Sequence, residues 1–391
     1  MINRVFIIVL DSFGVGKAKD AGEFGDAGAD TLASVSSSDF FRAPYLTSLG
    51  LFNIDNAAKC KNYGPVSNPI GSYCRLREES KGKDSTVGHW ELAGLVSNVP
   101  FPLFPDGFPD EIISEFERLT KRKVICNKPY SGTEVIKDYG KEHLKTGSLI
   151  VYTSGDSVFQ IAAHKSIVSI EELYEDCRIA RKLLSGKYNV SRVIARPFEG
   201  DYPFVRTGER HDFSAVPTSD TLADVLLRQK YDVIGVGKTA DLFAEKGFSE
   251  NFRTQSNEDG MRELHKMLRK DFHGLCFANL VDFDTMFGHR RDKDGYAKAI
   301  SIFDEFLKEY MMGLREDDVM ILTADHGNDP CYSGTDHTRE NVPCLVYGKK
   351  VKSVNLGSDR VFSDLAASVA DMLGAEYNLS GKSFWGEITN D

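Results

Sequence analysis

Acidic residues and histidines are concentrated between residues 275 and 339, at the exits of two apolar runs. Carboxylate oxygens and imidazole nitrogens are ligands that suit zinc, manganese and related divalent ions. The density of such residues exceeds the needs of one tetrahedral ion, so it predicts two metals. Asp11, which follows the apolar run VFIIVL, is placed to complete the set. The segments LCFANLVDFDTMFGH, VMILTADHGNDP and GTDHTR contribute Asp284, His289, Asp325, His326, Asp336 and His337.

The elements that position these residues follow an alternating pattern. Helical stretches lie between apolar runs of strand length, and this alternation predicts an α/β fold with a largely parallel sheet flanked by helices. Ligands bind beyond the carboxyl ends of such strands, which is where Asp11, Asp284 and Asp325 lie. The predicted strands are 5–10, 149–154, 191–198, 231–237, 275–283, 319–325 and 342–348.

The spacing of Asp284 and His289 adds a local expectation. On one α-helix these two side chains would lie about 140° apart and would face different directions. Both can face one ion only if a loop intervenes, and Gly288 favours a bent backbone there. We therefore predict a loop between them.

The middle of the chain differs from the rest. It opens with the Pro-rich segment VPFPLFPDGFP and contains its own strands and one long helix. We interpret residues 100–217 as an α/β domain inserted into a core formed by 1–99 and 218–391, where it would act as a cap over the site. The alternative at this stage is that the segment continues the main sheet.

A nucleophile is predicted in GKDSTVGHWE, where turn-forming residues lead into a helix. The hydroxyl of Ser85 would lie at the helix N-terminus, where backbone N–H groups stabilise a phosphate. Ser and Thr at such positions commonly just cap a helix. Beside a metal cluster, however, this hydroxyl becomes a candidate nucleophile activated by coordination.

Composition restricts the partners. The net charge of −10 argues against a nucleic-acid-binding surface, and it requires metals or local Arg and Lys to attract a phosphorylated substrate. No apolar run is long enough for a membrane span or a signal peptide. The seven dispersed cysteines fit reduced thiols, so we expect a cytoplasmic protein. The sequence does not indicate an oligomeric state.

Ordered motifs along the whole chain carry a family resemblance. They include VLDSFGVG, GKDSTVGHWE, PFPLFPDGFP, SLIVYTSGDSVFQIAAH, RVIARPF, GERHD, NLVDFDTMFGHRRD, TADHGNDP and GTDHTRE. The sequence resembles phosphopentomutases, which belong to the alkaline phosphatase superfamily. The resemblance implies an alkaline-phosphatase-like core with an inserted cap and two Mn²⁺ ions, although the ligand types also accommodate other divalent ions.

The same resemblance assigns roles to individual residues. Asp11, Asp325 and His326 would hold one ion, and Asp284, His289 and His337 would hold the other. The phosphorylated residue would be Ser85, although the family usually has Thr there and Thr86 is the runner-up. The substrate-binding residues would be Ser154, Asp156, Arg196, Arg210 and Lys238.

The reaction implied is an intramolecular phosphotransfer between C1 and C5 of ribose or 2-deoxyribose, which makes the protein an isomerase. It would proceed through a phosphoenzyme and a pentose 1,5-bisphosphate, with a sugar bisphosphate as activator and a small sugar phosphate as the only partner. The rival interpretation is a metal-dependent phosphatase or phosphodiesterase of the same superfamily, which would transfer the phosphoryl group to water.

Overall fold

A computed structural model describes residues 2–55, 57, 60–154 and 157–390. Its strands are β1 Arg4–Leu10, β2 Ser72–Arg77, β3 Val124–Pro129, β4 Leu149–Thr153, β5 Val158–His164, β6 Arg192–Glu199, β7 Val205–Arg206, β8 His211–Ser214, β9 Asp232–Val236, β10 Glu250–Phe252, β11 Gly274–Leu280, β12 Asp318–Thr323, β13 Val342–Tyr347 and β14 Arg360–Val361.

The α-helices are α1 Thr31–Ser36, α2 Pro44–Leu49, α3 Ser85–Leu92, α4 Asp110–Thr120, α5 Gly132–Thr146, α6 Ile170–Leu183, α7 Leu222–Arg228, α8 Thr239–Leu242, α9 Asn257–Arg269, α10 Lys293–Gly313, α11 Ser363–Leu373 and α12 Trp385–Ile388. Short 3₁₀ helices cover Ala21–Phe24, Leu51–Asn53 and Gly186–Tyr188, and a π-helix covers Phe283–Gly288. None of the described helices combines the length and the apolar character needed to span a bilayer.

The chain divides into two compact units, one made of Met1–Val99 and Pro217–Asp391 and the other of Pro100–Val216. We call the first the core unit and the second the inserted unit. The core unit contains an eight-stranded sheet in the order β10-β9-β11-β1-β12-β13-β2-β14. Its strands are parallel except where β13 pairs with β12 and with β2. The predicted α/β class with a largely parallel sheet is confirmed.

The central strands of the core sheet are apolar on both faces. Every residue of β1, β11 and β12 is buried, as expected for parallel strands covered by helices on both sides. The strand predicted at 275–283 is too long, because β11 ends at Leu280 and the chain then turns into the π-helix. The carboxyl ends of β1, β11 and β12 lie side by side, since Leu10 pairs with Leu280 and Val9 with Thr323.

The inserted unit has a sheet of its own, in the order β3-β4-β5-β6-β7, with β8 also paired to β6. Apolar side chains pack on both of its faces. One cluster lies under α4 and α6 and includes Phe116, Phe159 and Cys177, and the other lies under α5 and includes Ile136 and Phe198. Strands predicted at 149–154 and 191–198 therefore belong to a second sheet with its own hydrophobic core.

Candidate metal centre and active site

Three predicted ligands meet at the ends of two neighbouring core strands. Asp11 directly follows β1, and Asp325 and His326 follow β12. Ligand atoms of the three residues all lie within 4.8 Å of one another, and His326 Nε2 is 3.5 Å from both Asp11 Oδ1 and Asp325 Oδ2. The side chains are 0%, 0% and 1% exposed, respectively. We call Asp11, Asp325 and His326 the inner group.

The other three predicted ligands form a neighbouring cluster. Asp284 Oδ2 lies 3.1 Å from His289 Nε2, and Asp284 Oδ1 lies 3.6 Å from His337 Nε2. The two imidazole Nε2 atoms are 3.2 Å apart. We call Asp284, His289 and His337 the outer group. The two groups adjoin, because His326 also lies within 4.8 Å of ligand atoms of Asp284 and His337.

A π-helix, and not a loop, brings Asp284 and His289 together. The expectation of a loop is wrong, because Phe283–Gly288 closes an i→i+5 hydrogen bond in which the N–H of His289 donates to the carbonyl of Asp284 at 2.9 Å. This wider turn returns residue 289 over residue 284, which an α-helix would not do. Gly288 is needed for packing, since a Cβ there would lie 2.9 Å from the side chain of Asn328.

The electrostatics of the inner group suit a cation. Burial, with help from the Asp325 carboxylate, raises the pKa of Asp11 to about 7. Burial acts on Asp325 in the same direction, but His326 and His89 hold the pKa of Asp325 below its usual range. Burial lowers the pKa of His326 to about 3, which keeps its imidazole neutral, as a metal ligand must be. Asp11 Oδ1 is buried without a hydrogen-bond partner among the described residues. These residues therefore fit a divalent ion.

In the outer group, two neighbouring imidazoles favour the negative charge of the Asp284 carboxylate. Burial alone would raise the pKa of Asp284, but His289 and His337 lower it well below its usual range. The Asn328 amide also donates to Asp284 Oδ1 at 2.8 Å. Backbone carbonyls lie against the other imidazole nitrogens, with Thr335 O at 2.8 Å from His289 Nδ1 and Lys83 O at 3.0 Å from His337 Nδ1. Such contacts fix the tautomer that leaves Nε2 free to bind a metal.

The structure places the predicted nucleophile beside the inner group. Ser85 is the first residue of α3, and its Oγ lies 3.2 Å from His326 Nε2. Lys238 Nζ donates to the same Oγ at 2.9 Å and lies 2.5 Å from Asp11 Oδ2. Thr86 Oγ1, in contrast, is buried without a hydrogen-bond partner among the described residues. The geometry favours Ser85 over Thr86 as the reacting hydroxyl.

The donors that stabilise this site differ from those expected. The N–H groups of Thr86 and Val87 do not face a phosphate, because both donate to Oδ1 of Asp84, the N-cap residue of α3. Lys238 is among the predicted substrate-binding residues, and in the structure its ammonium contacts Ser85 and Asp11. The Lys238 ammonium therefore provides positive charge near Ser85, while two N–H groups of the first turn are already occupied by Asp84.

Close packing joins α3 to the loop that carries Asp325. A Cβ on Gly88 would lie only 2.1 Å from the Asp325 carbonyl oxygen, so only glycine fits at this crossing. The next residue is His89, whose Nδ1 lies 2.9 Å from the Ser85 carbonyl oxygen and 3.2 Å from Asp325 Oδ2. His89 is completely buried and links the nucleophile turn to a predicted metal ligand.

Two of the substrate-binding residues predicted in the inserted unit, Arg196 and Arg210, belong to one charged cluster with Asp212. Burial, followed by repulsion from Arg210, lowers the pKa of Arg196 to about 9. Arg196 donates to Gln160 Oε1 at 3.2 Å, whereas Arg210 forms a bidentate pair with Asp212 at 2.8 and 2.7 Å. Ser154 follows β4 in the same unit. Asp156 lies outside the described residues.

Sequence reasoning missed two residues of these sites. Asn328 lies in the motif TADHGNDP, but nothing in an asparagine after a glycine signals that its amide contacts Asp284. Arg206 lies on β7, which pairs with β6, and its charge also lowers the pKa of Arg196. Its only local signal would be strand β7, which is two residues long and too short to recognise from sequence.

Asp336, which the sequence grouped with the candidate ligands, accepts from the backbone N–H of His337 and pairs with Lys83.

Comparisons with known proteins identify the family. The profile of the Metalloenzyme superfamily matches residues 3–377. A phosphopentomutase of Lachnoclostridium phytofermentans is 51% identical over 385 residues, which cover 98% of both chains. The phosphopentomutase of Acetivibrio thermocellus is 50% identical over 390 residues, which cover 99% of this chain and 100% of the relative. The chain belongs to the phosphopentomutase family. Its predicted use of divalent metal agrees with the superfamily and with the buried donor groups.

Solved structures support the fold of this phosphopentomutase-family chain. The PH0037 protein of Pyrococcus horikoshii matches with a TM-score of 0.51 and 13% identity, covering 97% of this chain and 100% of its own. A phosphoglycerate mutase of Leishmania mexicana matches with a TM-score of 0.50 and 13% identity, covering 98% and 97%. At this identity the two structures indicate a shared α/β architecture alone.

Proposed function

We propose that the protein is a phosphopentomutase, an isomerase that interconverts ribose 1-phosphate and ribose 5-phosphate, and the corresponding 2-deoxyribose phosphates. The observation that carries the proposal is the position of Ser85. Its hydroxyl lies 3.2 Å from His326 Nε2 and 2.9 Å from Lys238 Nζ, beside two adjoining groups of carboxylates and imidazoles. Similarity to phosphopentomutases over nearly the full chain supports the same assignment.

In this proposal the inner and outer groups each hold one divalent ion, and Mn²⁺ is the ion that we assign. Two such ions would stabilise the charge on the attacking and leaving oxygens of an in-line phosphoryl transfer. The chain supplies the remaining positive charge through Lys238, whose ammonium contacts both Ser85 and Asp11. His89 contacts the Ser85 carbonyl oxygen and would hold the backbone of the nucleophile in place during transfer.

The proposed reaction conserves the phosphoryl groups. Phosphorylated Ser85 donates its group to the free C1 or C5 hydroxyl of the sugar monophosphate, so that the P–O bond to Ser85 breaks and a P–O bond to the sugar forms. The product is a pentose 1,5-bisphosphate. The phosphate that the substrate originally carried is then transferred to Ser85, which releases the isomeric monophosphate and restores the phosphoenzyme. A sugar bisphosphate acts as activator because it phosphorylates Ser85 at the start.

We assign the inserted unit a role in binding sugar and excluding water, since water at phosphorylated Ser85 would produce free phosphate. Ser154 is a candidate for contacts with sugar hydroxyls, and Arg196 and Arg210 for the phosphate that does not react. Support comes from the Arg196 guanidinium, whose pKa is lowered first by burial and then by repulsion from Arg210, because a bound anion would offset both effects.

We also propose that the protein acts in the cytoplasm. All seven cysteines are free thiols in the structure, four of them buried. Dispersed, unpaired cysteines are typical of proteins from reducing compartments.

The test is a ³¹P nuclear magnetic resonance assay of the Mn²⁺-loaded protein with ribose 5-phosphate and a trace of ribose 1,5-bisphosphate. We expect ribose 1-phosphate to appear without a matching rise in free phosphate. Rapid release of inorganic phosphate would instead favour the phosphatase interpretation. Mass spectrometry of the same sample should place a phosphate on Ser85, and the Ser85→Ala protein should lack both the product and the modification.

A further inference from the structure

A cavity of about 490 Å³ in the core unit lies apart from the candidate active site. We call it the basic pocket. None of its lining residues belongs to the inner or outer group. They are Lys17, Ala18, Lys19, Ala21, Gly22, Ala27, Arg75, Arg77, Asn341, Ser358 and Asp359.

The charge in the basic pocket is one-sided. Lys17, Lys19, Arg75 and Arg77 face a single carboxylate, that of Asp359, in a chain whose net charge is −10. Among the described residues only Arg77 has an ion-pair partner, the partly exposed Glu79 at 3.3 Å. Four cations collected at one cavity of an acidic protein repel one another, so an anion bound between them would be stabilised.

Arg75 is held in place by the sheet. Partly buried and fully buried residues alternate along β2, so Arg75 and Arg77 lie on one face of the strand and Cys74 and Leu76 on the other. β2 is paired on both sides, with β13 and β14. Arg75 Nε is buried and has no hydrogen-bond partner among the described residues. A buried guanidinium donor without an acceptor is costly, and a ligand oxygen would satisfy it.

A second cavity lined by basic residues allows a comparison of how the cations are paired with acids. A cavity of about 470 Å³ in the inserted unit is lined by Arg118, Arg122 and Lys123, among others. There three of the four lining cations have an acid of their own, since Arg118 pairs with Glu115, Arg122 with Glu172 and Lys123 with Glu117. The fourth, Lys121, has no ion-pair partner among the described residues. In the basic pocket this internal neutralisation is missing for three of the four cations.

Two chain segments that lead away from the metal centre form one wall of the basic pocket. The N–H of Val15 donates to Asn341 O at 2.8 Å, and the N–H of Asn341 donates to Gly16 O at 2.9 Å. Asn341 Nδ2 also donates to the carbonyl of Lys17 at 2.9 Å. The backbone of this wall is thus fixed by hydrogen bonds before any ligand binds, which lowers the entropic cost of binding.

We propose that the basic pocket binds a small anion with two or more phosphate groups, of the sugar bisphosphate class. Its volume falls within the range of small-molecule sites. Arg75 and Arg77, two residues apart on one strand, offer bidentate donors about 7 Å apart, which suits two separate phosphates. The lining residues include no aromatic side chain on which a base would stack, so the site is not built for a nucleotide.

The experiment is calorimetric titration of the Mn²⁺-loaded protein with fructose 1,6-bisphosphate, in excess Mn²⁺ and with ribose 5-phosphate saturating the active site. The wild type should bind one equivalent. Arg75→Gln should weaken this binding at least about tenfold, because it removes a charge-assisted contact. Lys19→Gln, at an exposed position where folding is not at risk, should weaken it several-fold. Mutase turnover of both variants should stay within about twofold of the wild type.

Arg118→Gln in the other basic cavity is the matched control and should bind like the wild type. The proposal is overturned if the wild type shows no binding under these conditions, or if Arg75→Gln binds as tightly as the wild type. A parallel titration with ADP tests the ligand class. ADP binding more than tenfold tighter than fructose 1,6-bisphosphate would reject a sugar bisphosphate and indicate a nucleotide. Because turnover is measured separately, loss of this site and failure of the mutase assignment give different results.

Discussion

The inner and outer groups contain the same types of ligand but are built differently. The inner group lies on the central strands of the core sheet, and its side chains are at most 1% exposed. The outer group lies on a π-helix and a loop, and His289 is 33% exposed. Burial and repulsion from Asp325 raise the pKa of Asp11 although Lys238 contacts its Oδ2, whereas two imidazoles hold the pKa of Asp284 low and an amide donates to its carboxylate. We therefore expect the loss of a bound ion to destabilise the inner group more than the outer group.

Substitution of the proposed nucleophile, Ser85, which lies against His326 of the inner group and not against the outer group, should have the largest effect. Ser85→Ala should lower mutase turnover by at least about 10³-fold, since it removes the oxygen that carries the phosphoryl group. Steady-state kinetics and metal analysis should show lost activity with both ions retained. Thr86→Ala is the neighbouring control, and its Oγ1 has no hydrogen-bond partner among the described residues. If Thr86→Ala were the inactive variant, the assignment of the nucleophile would be wrong.

Asn328 offers a way to weaken the outer group alone. Its amide donates to Asp284 Oδ1, so Asn328→Ala should lower the affinity of the outer ion by about 10- to 100-fold, the usual effect of losing a contact that orients a ligand. Mn²⁺ titration followed by electron paramagnetic resonance would count the ions bound. Asn355→Ala, at an exposed asparagine in the same unit, is the control. Equal weakening of both ions by Asn328→Ala would contradict the separation of the two groups.

Substitution of Gly88 tests the inner group, as substitution of Asn328 tests the outer group. The Cβ of Gly88→Ala would lie 2.1 Å from the Asp325 carbonyl, so α3 and the Asp325 loop must move apart. We expect the free energy of unfolding to fall by about 1–3 kcal/mol, with weaker binding of the inner ion only. Denaturant unfolding measures the first effect. Gly386→Ala, in α12 with open space around the glycine, should be neutral or slightly stabilising.

The smallest effect is a difference in the rates at which the ions leave. A chelator should remove the outer ion first, through partly exposed His289, and the fully buried inner ion more slowly. Elemental analysis at successive times should therefore show two phases. His289→Ala should abolish the fast phase and leave the slow one. A single rate constant for both ions in the wild type would mean that burial does not distinguish the groups.

The sequence predicted those parts of the site that depend on strand ends. A two-sided apolar run such as β1 specifies a buried parallel strand, and its carboxyl end places Asp11 beside Asp325 whatever the surrounding detail. The helix beginning at Ser85 was also predictable, because Asp84 is a favourable N-cap.

Other parts depend on tertiary contacts that leave little local signal. The i→i+5 hydrogen bond before His289 depends on packing around Gly288, and helical periodicity does not distinguish it from a bend. The contact of Lys238 with Ser85 joins residues 153 positions apart, and the composition of neither segment encodes it. The antiparallel pairing of β13 likewise depends on sheet topology and not on its apolar sequence.

The link through His89 has a consequence for the way substrates reach the enzyme. The Nδ1 atom of its imidazole lies close to both the Ser85 carbonyl oxygen and Asp325 Oδ2, and Gly88 leaves no gap between the helix and the Asp325 loop. These contacts therefore hold Ser85 and the predicted metal ligand Asp325 at a fixed separation. If Ser85 carries the phosphoryl group, as we propose, this donor keeps its position, and we expect the sugar to turn around in the site to present its second hydroxyl.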